Sequence, residues 1–221
     1  MSSIPVTEIL YLDVDPKSDL RDADSDAGRV WREMLELART SPGFRDQYWG
    51  RGHEFPEKVR LHIVRDTLEQ HRDFKNSESG QMFFTLAGKL VRDDSAPVVV
   101  RHVLLHDTEL NDGRRLAREA PITGSALYVN SDDVFHDYVW PLWTHIVRHA
   151  PGNQGVAGGR VLDHESGRDA YLVYVGWETN DDHQRFRQSP LCADRRVILK
   201  MGNDAQEEYY HVVFEKKEQM K

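Results

Sequence analysis

Cysteine occurs once in this 221-residue chain, at Cys192. That single thiol excludes an intramolecular disulfide and any cysteine-cluster metal site. Long apolar runs are also missing: nothing approaches the ~18–20 residues of a membrane-spanning helix, so a membrane is not an expected partner. Basic residues are in deficit, with 29 Lys and Arg against 37 Asp and Glu for a net charge of −8. Without a cationic surplus to neutralise phosphates, nucleic acid is not an expected partner either. Arg195-Arg196 and Lys216-Lys217 read as solvated surface pairs. The opening Met1-Ser2-Ser3-Ile4-Pro5 lacks the basic start and apolar core of a secretory signal, and a cytoplasmic location is expected. Gly155, Gly158 and Gly159 stand on a predicted strand, so they form no dinucleotide fingerprint. A bulge or a close backbone approach is expected there.

What the chain does have is repetition. Pro5-Val6-Thr7 opens one apolar run and Pro121-Ile122-Thr123 another. Val30-Trp31 precedes Pro42-Gly43 at the same spacing as Val139-Trp140 precedes Pro151-Gly152. His71, Phe74 and Ser77 recur, identically spaced, as His183, Phe186 and Ser189. Arg101-His102-Val103 corresponds to Tyr210-His211-Val212. Such ordered self-similarity marks one unit of about 100 residues built twice. A single unit of that size has a thin core, which a second copy would help to bury. The repeats are expected over 1–110 and 118–221, joined by the polar stretch Asp107–Glu119.

Each repeat reads as strand, helix, strand, strand, helix, strand. In the first, strand signals cover 5–13, 44–52, 59–66 and 97–105. Its first helix starts after an N-cap at Asp24 or Ser25 and stops at Ser41-Pro42-Gly43. Its second helical segment runs from Thr67 to Leu90 and is expected to break at Gly80. In the second, strands are expected at 122–129, 154–162, 170–177 and 208–214. A helix with Ser131 as N-cap kinks or restarts at Pro141, and helical pieces cover 180–188 and 191–201. This order is the βαββαβ pattern of a ferredoxin-like unit. Along Ala170–Trp177 both alternating faces are apolar, so both should be buried. Helices would cover one face and the other copy's sheet the second. The expected fold is α+β: two tandem ferredoxin-like units forming an intramolecular α+β barrel, an internal pseudo-dimer with further homodimerisation left open.

These features resemble the dimeric α+β barrel superfamily and, within it, the antibiotic biosynthesis monooxygenase group. That group carries a helix ending in Pro-Gly, a strand ending in Trp-Glu, and then a His and an apolar residue on the next helix. The second repeat has Pro151-Gly152, Trp177-Glu178, His183 and Phe186. The first keeps Pro42-Gly43, His71 and Phe74 but has Arg65-Asp66 in place of Trp-Glu. The resemblance implies a small-molecule enzyme of secondary metabolism acting on an aromatic or polyketide-like substrate. It would be a cofactor-independent monooxygenase or a related isomerase, cyclase or lyase. The alternative is a non-catalytic hydrophobic-ligand-binding or stress-response barrel. The haem-degrading branch carries an Ala-His pair where this chain has Ala193-Asp194, and neither haem, flavin nor metal is expected.

Eleven histidines with five Trp, eight Tyr and eight Phe supply the candidate chemistry. A cofactor-free oxygenase needs its substrate as an anion, and an imidazole titrates in the right range to take the proton. His183, His211 and His102 are the candidate catalytic residues. Trp177, Tyr128, Tyr209, Trp143 and His71 are the candidate substrate contacts. The working pocket is expected in the second repeat, around Trp177, His183, His211 and Tyr128. His145 and His149, one helical turn apart, lack an obvious third ligand for a metal. His102 and His106 share a strand face with Asp107 adjacent, but His106 stands at the frayed strand end, so no metal is expected there either. Cys192 is expected to be a buried bystander.

Overall fold

The computed structural model describes residues 5–92, 94–107 and 116–215. Most of the joining stretch and the Lys216-Lys217 pair lie outside the described residues. The chain divides into two compact units, Met1–His102 and Val103–Lys221. Among the described residues no helix is long and apolar enough to cross a membrane.

The first unit runs β1 (Val6–Asp13), α1 (Asp26–Arg39), β2 (Phe44–Gly52), β3 (Lys58–Arg65), α2 (Leu68–Asn76), α3 (Glu78–Leu90) and β4 (Val99–Val103). Its strands lie in the order β4-β1-β3-β2, with β3 antiparallel to both β1 and β2. The Ser25 side chain caps α1 by accepting from Gly28 N at 2.9 Å, which satisfies one donor that the helix leaves open. The helix buries Trp31, Met34 and Ala38, the i, i+3, i+7 stripe of an amphipathic helix. A capping box of Thr67 and Gln70 starts α2. The break expected at Gly80 falls instead at Ser77, which ends α2 and caps α3 by accepting from Gly80 N at 3.1 Å. Gly80 lies inside α3, and a Cβ there would stand 1.8 Å from Phe74 O. Its smallness lets two helices meet rather than ending one.

The second unit repeats this order. After the short β5 (His106–Asp107) come β6 (Ile122–Val129), a π-helical turn (Phe135–Val139), α4 (Trp140–Val147), β7 (Asn153–Val161), β8 (Ala170–Trp177), α5 (Asn180–Gln188), α6 (Pro190–Arg195), a 3-10 turn (Arg196–Lys200) and β9 (Ala205–Phe214). The strand order is β9-β6-β8-β7-β5, and the β6–β8, β6–β9, β7–β8 and β5–β7 pairs are all antiparallel. Pro141 stands early in α4, but the helix neither stops nor restarts there. The backbone is helical from the π turn through Val139 and Trp140, and the wider π turn takes up the proline ring and its missing N–H. Asp132 rather than Ser131 makes the N-terminal bond, accepting from Phe135 N at 3.0 Å. Ser131 Oγ instead meets His136 Nε2 at 2.9 Å. Strand β9 begins earlier than expected, with an irregularity in its register against β6 between Ser125 and Leu127 and Glu208 at φ 51°. On β7 the register shifts between Asn153 and Gly155, and a Cβ at Gly158 would stand 2.3 Å from Trp140 Nε1.

Both units make the turn after their first helix with a left-handed glycine, Gly43 at φ 71° and Gly152 at φ 80°. An added Cβ would strike Gln70 in one case and Asp182 in the other. These residues directly precede His71 and His183. The turn therefore fixes the start of the helix that carries each unit's histidine. On β8, Tyr171, Val173 and Trp177 join a cluster with Phe135, Val139, Trp140, Trp143 and Phe186. Ala170, Leu172 and Tyr174 on the opposite face are also buried, as the apolar alternation requires.

Candidate functional site

A cavity of about 760 Å³ lies within the second unit. Its wall is built from the helix-facing side of the sheet, Gly124, Ala126 and Tyr128 on β6 with Val173, Val175 and Trp177 on β8. Trp140 and Trp143 from α4 and Phe186 from α5 close it on the helical side. Trp143 meets Phe186 with ring centroids 5.9 Å apart. Tyr128 is 3% exposed and packs on Phe135 at 4.6 Å; burial pushes its phenol well above the ordinary tyrosine range. It is a neutral wall, not a base. The charged lining, Arg187, Arg196, Lys200 and Asp204, is exposed, which gives an apolar floor with a mostly cationic rim.

The polar groups converge on His183. The Thr179 side chain caps α5 by accepting from Asp182 N at 3.1 Å, which places His183 in the first turn just after Trp177 ends β8. The imidazole stacks on the Trp177 indole at 4.7 Å and 9° between planes. Its Nδ1 lies 2.6 Å from His211 Nε2, and its Nε2 lies 3.2 Å from Tyr209 Oη. His211 sits on β9 opposite Gly124 and is 1% exposed, whereas Tyr209 is 39% exposed. One shared proton must lie between the two imidazoles, since one nitrogen donates and the other accepts. Two proton arrangements satisfy the row. Either Tyr209 donates to His183 and His183 to His211, or both bonds run the other way. Such a row can pass a proton from the cavity mouth to a fully buried nitrogen without moving a heavy atom. Cys192 also lines this cavity, and burial pushes its thiol up, away from the nucleophilic thiolate.

His102 and His71 belong to a different cluster, inside the first unit. His102 Nε2 lies 3.2 Å from Glu8 Oε2, and His71 Nδ1 lies 3.7 Å from the same oxygen. His71 Nε2 meets Val6 O at 3.1 Å, a bond in which the ring must donate. Burial, outweighing the nearby Glu8 carboxylate, pulls the His71 imidazole down to about 4. Glu8 went unnoticed in the sequence. Its one signal is a lone carboxylate within the apolar run Val6–Leu12. Arg65, in the place of Trp177, does not pair with Asp66, which bonds Arg45. Arg65 instead stacks over Phe74 at 4.5 Å and donates to Ser41 Oγ and Pro42 O. His145 and His149 line a separate hollow with Leu142 and Leu191. Among the described residues the one group of three metal-capable side chains is Glu8, His71 and His102.

No protein-family model matches the chain, and no curated protein matches it. Solved structures do. A protein described as anthrone oxidase-like superposes at a TM-score of 0.69 with 12% identity, over 96% of this chain and 93% of its own. Two proteins each described as a "putative monooxygenase" follow. The one from Fusobacterium nucleatum subsp. nucleatum has a TM-score of 0.60 and 9% identity over 98% and 96% of the two chains. The one from Lactobacillus acidophilus has a TM-score of 0.56 and 12% identity over 96% and 94%. Coverage of nearly the whole chain shows the fold: α+β, two tandem ferredoxin-like units, as in these monooxygenase-like structures.

Proposed function

We propose that the chain is a cofactor-independent monooxygenase of small aromatic molecules, with its working site in the second of two repeats, 1–110 and 118–221. The observation that carries this reading is the Tyr209–His183–His211 row set against the Trp177 face of an apolar cavity. A phenol or enol entering the cavity displaces the exposed Tyr209 hydroxyl from His183 Nε2, which takes the substrate proton as general base. The Nδ1 proton of His183 passes to His211 Nε2, so charge moves away from the substrate and into the protein. Arg187, Arg196 and Lys200 at the rim favour the resulting anion, and the walls of Trp140, Trp143 and Phe186 hold its ring while excluding water, with Trp177 backing His183 from behind.

The electron-rich carbanion form then reduces dioxygen directly. A ring methylene becomes a carbonyl: one oxygen atom enters the product and the other leaves as water with the methylene hydrogens, the substrate itself supplying the electrons. Names of structural neighbours at 9–12% identity support this reading only through their fold. The test is oxygen uptake and quinone formation by the full chain with a hydroxylated anthrone as probe. Turnover that collapses in His183→Ala supports the reading. Tight binding of the probe with no oxygen consumption would replace it with the ligand-binding alternative.

A further inference from the structure

We propose that Glu8, His71 and His102 form a binding site in the first unit for a divalent first-row transition ion of the Zn²⁺ or Fe²⁺ kind. Two imidazoles and one carboxylate are a donor set that such ions take, leaving further positions open for water. For donors about 2.0–2.2 Å from one tetrahedral ion, neighbouring donor atoms stand roughly 3.3–3.6 Å apart. Glu8 Oε2 lies 3.2 Å from His102 Nε2 and 3.7 Å from His71 Nδ1, and all three donor atoms fall within 4.8 Å of one another.

The orientation of His71 argues the same way. Its Nε2–H is committed to Val6 O at 3.1 Å, which turns Nδ1, with its lone pair, toward the carboxylate. A backbone carbonyl holding the far nitrogen of a ligating histidine is the usual outer support of a metal site. Without an ion, two acceptors face each other in a buried space. Among the described residues Glu8 Oε1 and His71 Nδ1 have no hydrogen-bond partner, and both side chains are at most 1% exposed. Buried polar atoms left so are uncommon, and a cation between them satisfies both. Arg65, a fixed cation near the cluster, is turned to Ser41 and Pro42. His102 keeps 10% of its side chain exposed, which gives an ion a way in.

The experiment uses the full chain, stripped with a chelator and titrated with Zn²⁺ by calorimetry and with Co²⁺ by visible absorption. The expected result is one saturable site per chain and a Co²⁺ spectrum of low-coordinate nitrogen and oxygen ligation. Glu8→Gln, which keeps the shape and removes the charge, should weaken binding at least about 10–100-fold. His145→Ala with His149→Ala should leave it unchanged. X-ray absorption of the Zn²⁺-loaded wild type should show two imidazoles, a reading that needs no variant to fold. Absence of saturable binding, loss of binding with the His145/His149 pair, or an all-oxygen shell would each overturn the proposal. So would a Glu8→Gln variant that folds and binds as the wild type does.

Discussion

The two histidine pairs have almost the same geometry and opposite surroundings. His183 and His211 stand with ring centroids 4.9 Å apart at 78°, and His71 and His102 at 5.1 Å and 62°. In the second unit the imidazoles bond to each other, with Gly124 beside them and Trp177 stacked on one ring. In the first unit the position of Gly124 is Glu8 and that of Trp177 is Arg65. The carboxylate comes between the rings as an acceptor, and the flat apolar wall becomes a guanidinium. One fold thus presents the same pair twice, once as a proton row beside a cavity and once as a buried donor set. Tyr209, the outer member of the row, likewise has Val100 as its counterpart, so the two surroundings differ at three positions on the strands.

The largest expected effect tests the proton row. His183→Ala should lower kcat by about 10²–10⁴, the range for loss of a general base, in steady-state oxygen uptake with the anthrone probe. His211→Gln should cost less and move the pH profile, because His211 acts through His183 rather than on the substrate. A His183→Ala enzyme that keeps its kcat would remove the base from the proposed mechanism.

The next expected effect exchanges the two surroundings. A Cβ at Gly124 would stand 3.4 Å from His183 Cε1 and 3.7 Å from His211 Cδ2, ordinary contact distances, so Gly124→Glu can be built without a backbone clash. The new carboxylate should draw the shared proton and suppress turnover about 10²-fold or more. It should also give the chain a second Zn²⁺ equivalent by calorimetry. If Gly124→Glu loses turnover but gains no ion, the donor set needs more than a carboxylate between two imidazoles. His71's bond to Val6 O would then be the missing ingredient.

A smaller effect is expected where the wall is thinned but kept aromatic. Trp177→Phe should raise KM a few-fold, with kcat changed by less than about threefold, since a smaller ring backs His183 and Phe186 less well where these line the cavity. Titration of the probe against wild type and variant separates binding from chemistry. A loss confined to kcat would mean that the indole positions His183 rather than the substrate.

How much of this could be read from the sequence depends on how local the signal is. Caps and turns act within a few residues, so Ser25, the Pro-Gly stops and an irregularity of the helix near Pro141 were readable. The pairing of His183 with Trp177 was readable because both flank one short loop. Glu8 was not, because its partner His102 is 94 positions away and one carboxylate in an apolar strand carries no period of its own. The swap of Ser77 for Gly80 as the break had another cause. Glycine is the stronger breaker by propensity, but here its missing side chain lets α3 approach the end of α2, while the serine hydroxyl ends one helix and caps the next.

That serine joint gives the smallest prediction, and it compares the units once more. Ser77 Oγ donates to Phe74 O at 2.7 Å and accepts from Gly80 N at 3.1 Å. Ser189 Oγ donates to Phe186 O at 2.6 Å and accepts from Cys192 N at 3.2 Å. Each hydroxyl therefore closes one helix and opens the next, the same device at matching positions. Ser77→Ala and Ser189→Ala should each lower stability by about 1 kcal/mol, the usual loss for an N-cap, in urea denaturation followed by circular dichroism. Only Ser189→Ala should also alter the kinetics with the anthrone probe, because α5 and α6 carry His183, Phe186 and Cys192 to the cavity wall. The Cys192 amide released by that change sits at the start of α6, so the expected loss is in binding, a few-fold in KM. Equal kinetic effects from both alanines would mean that the cavity of the second unit is not the site being assayed.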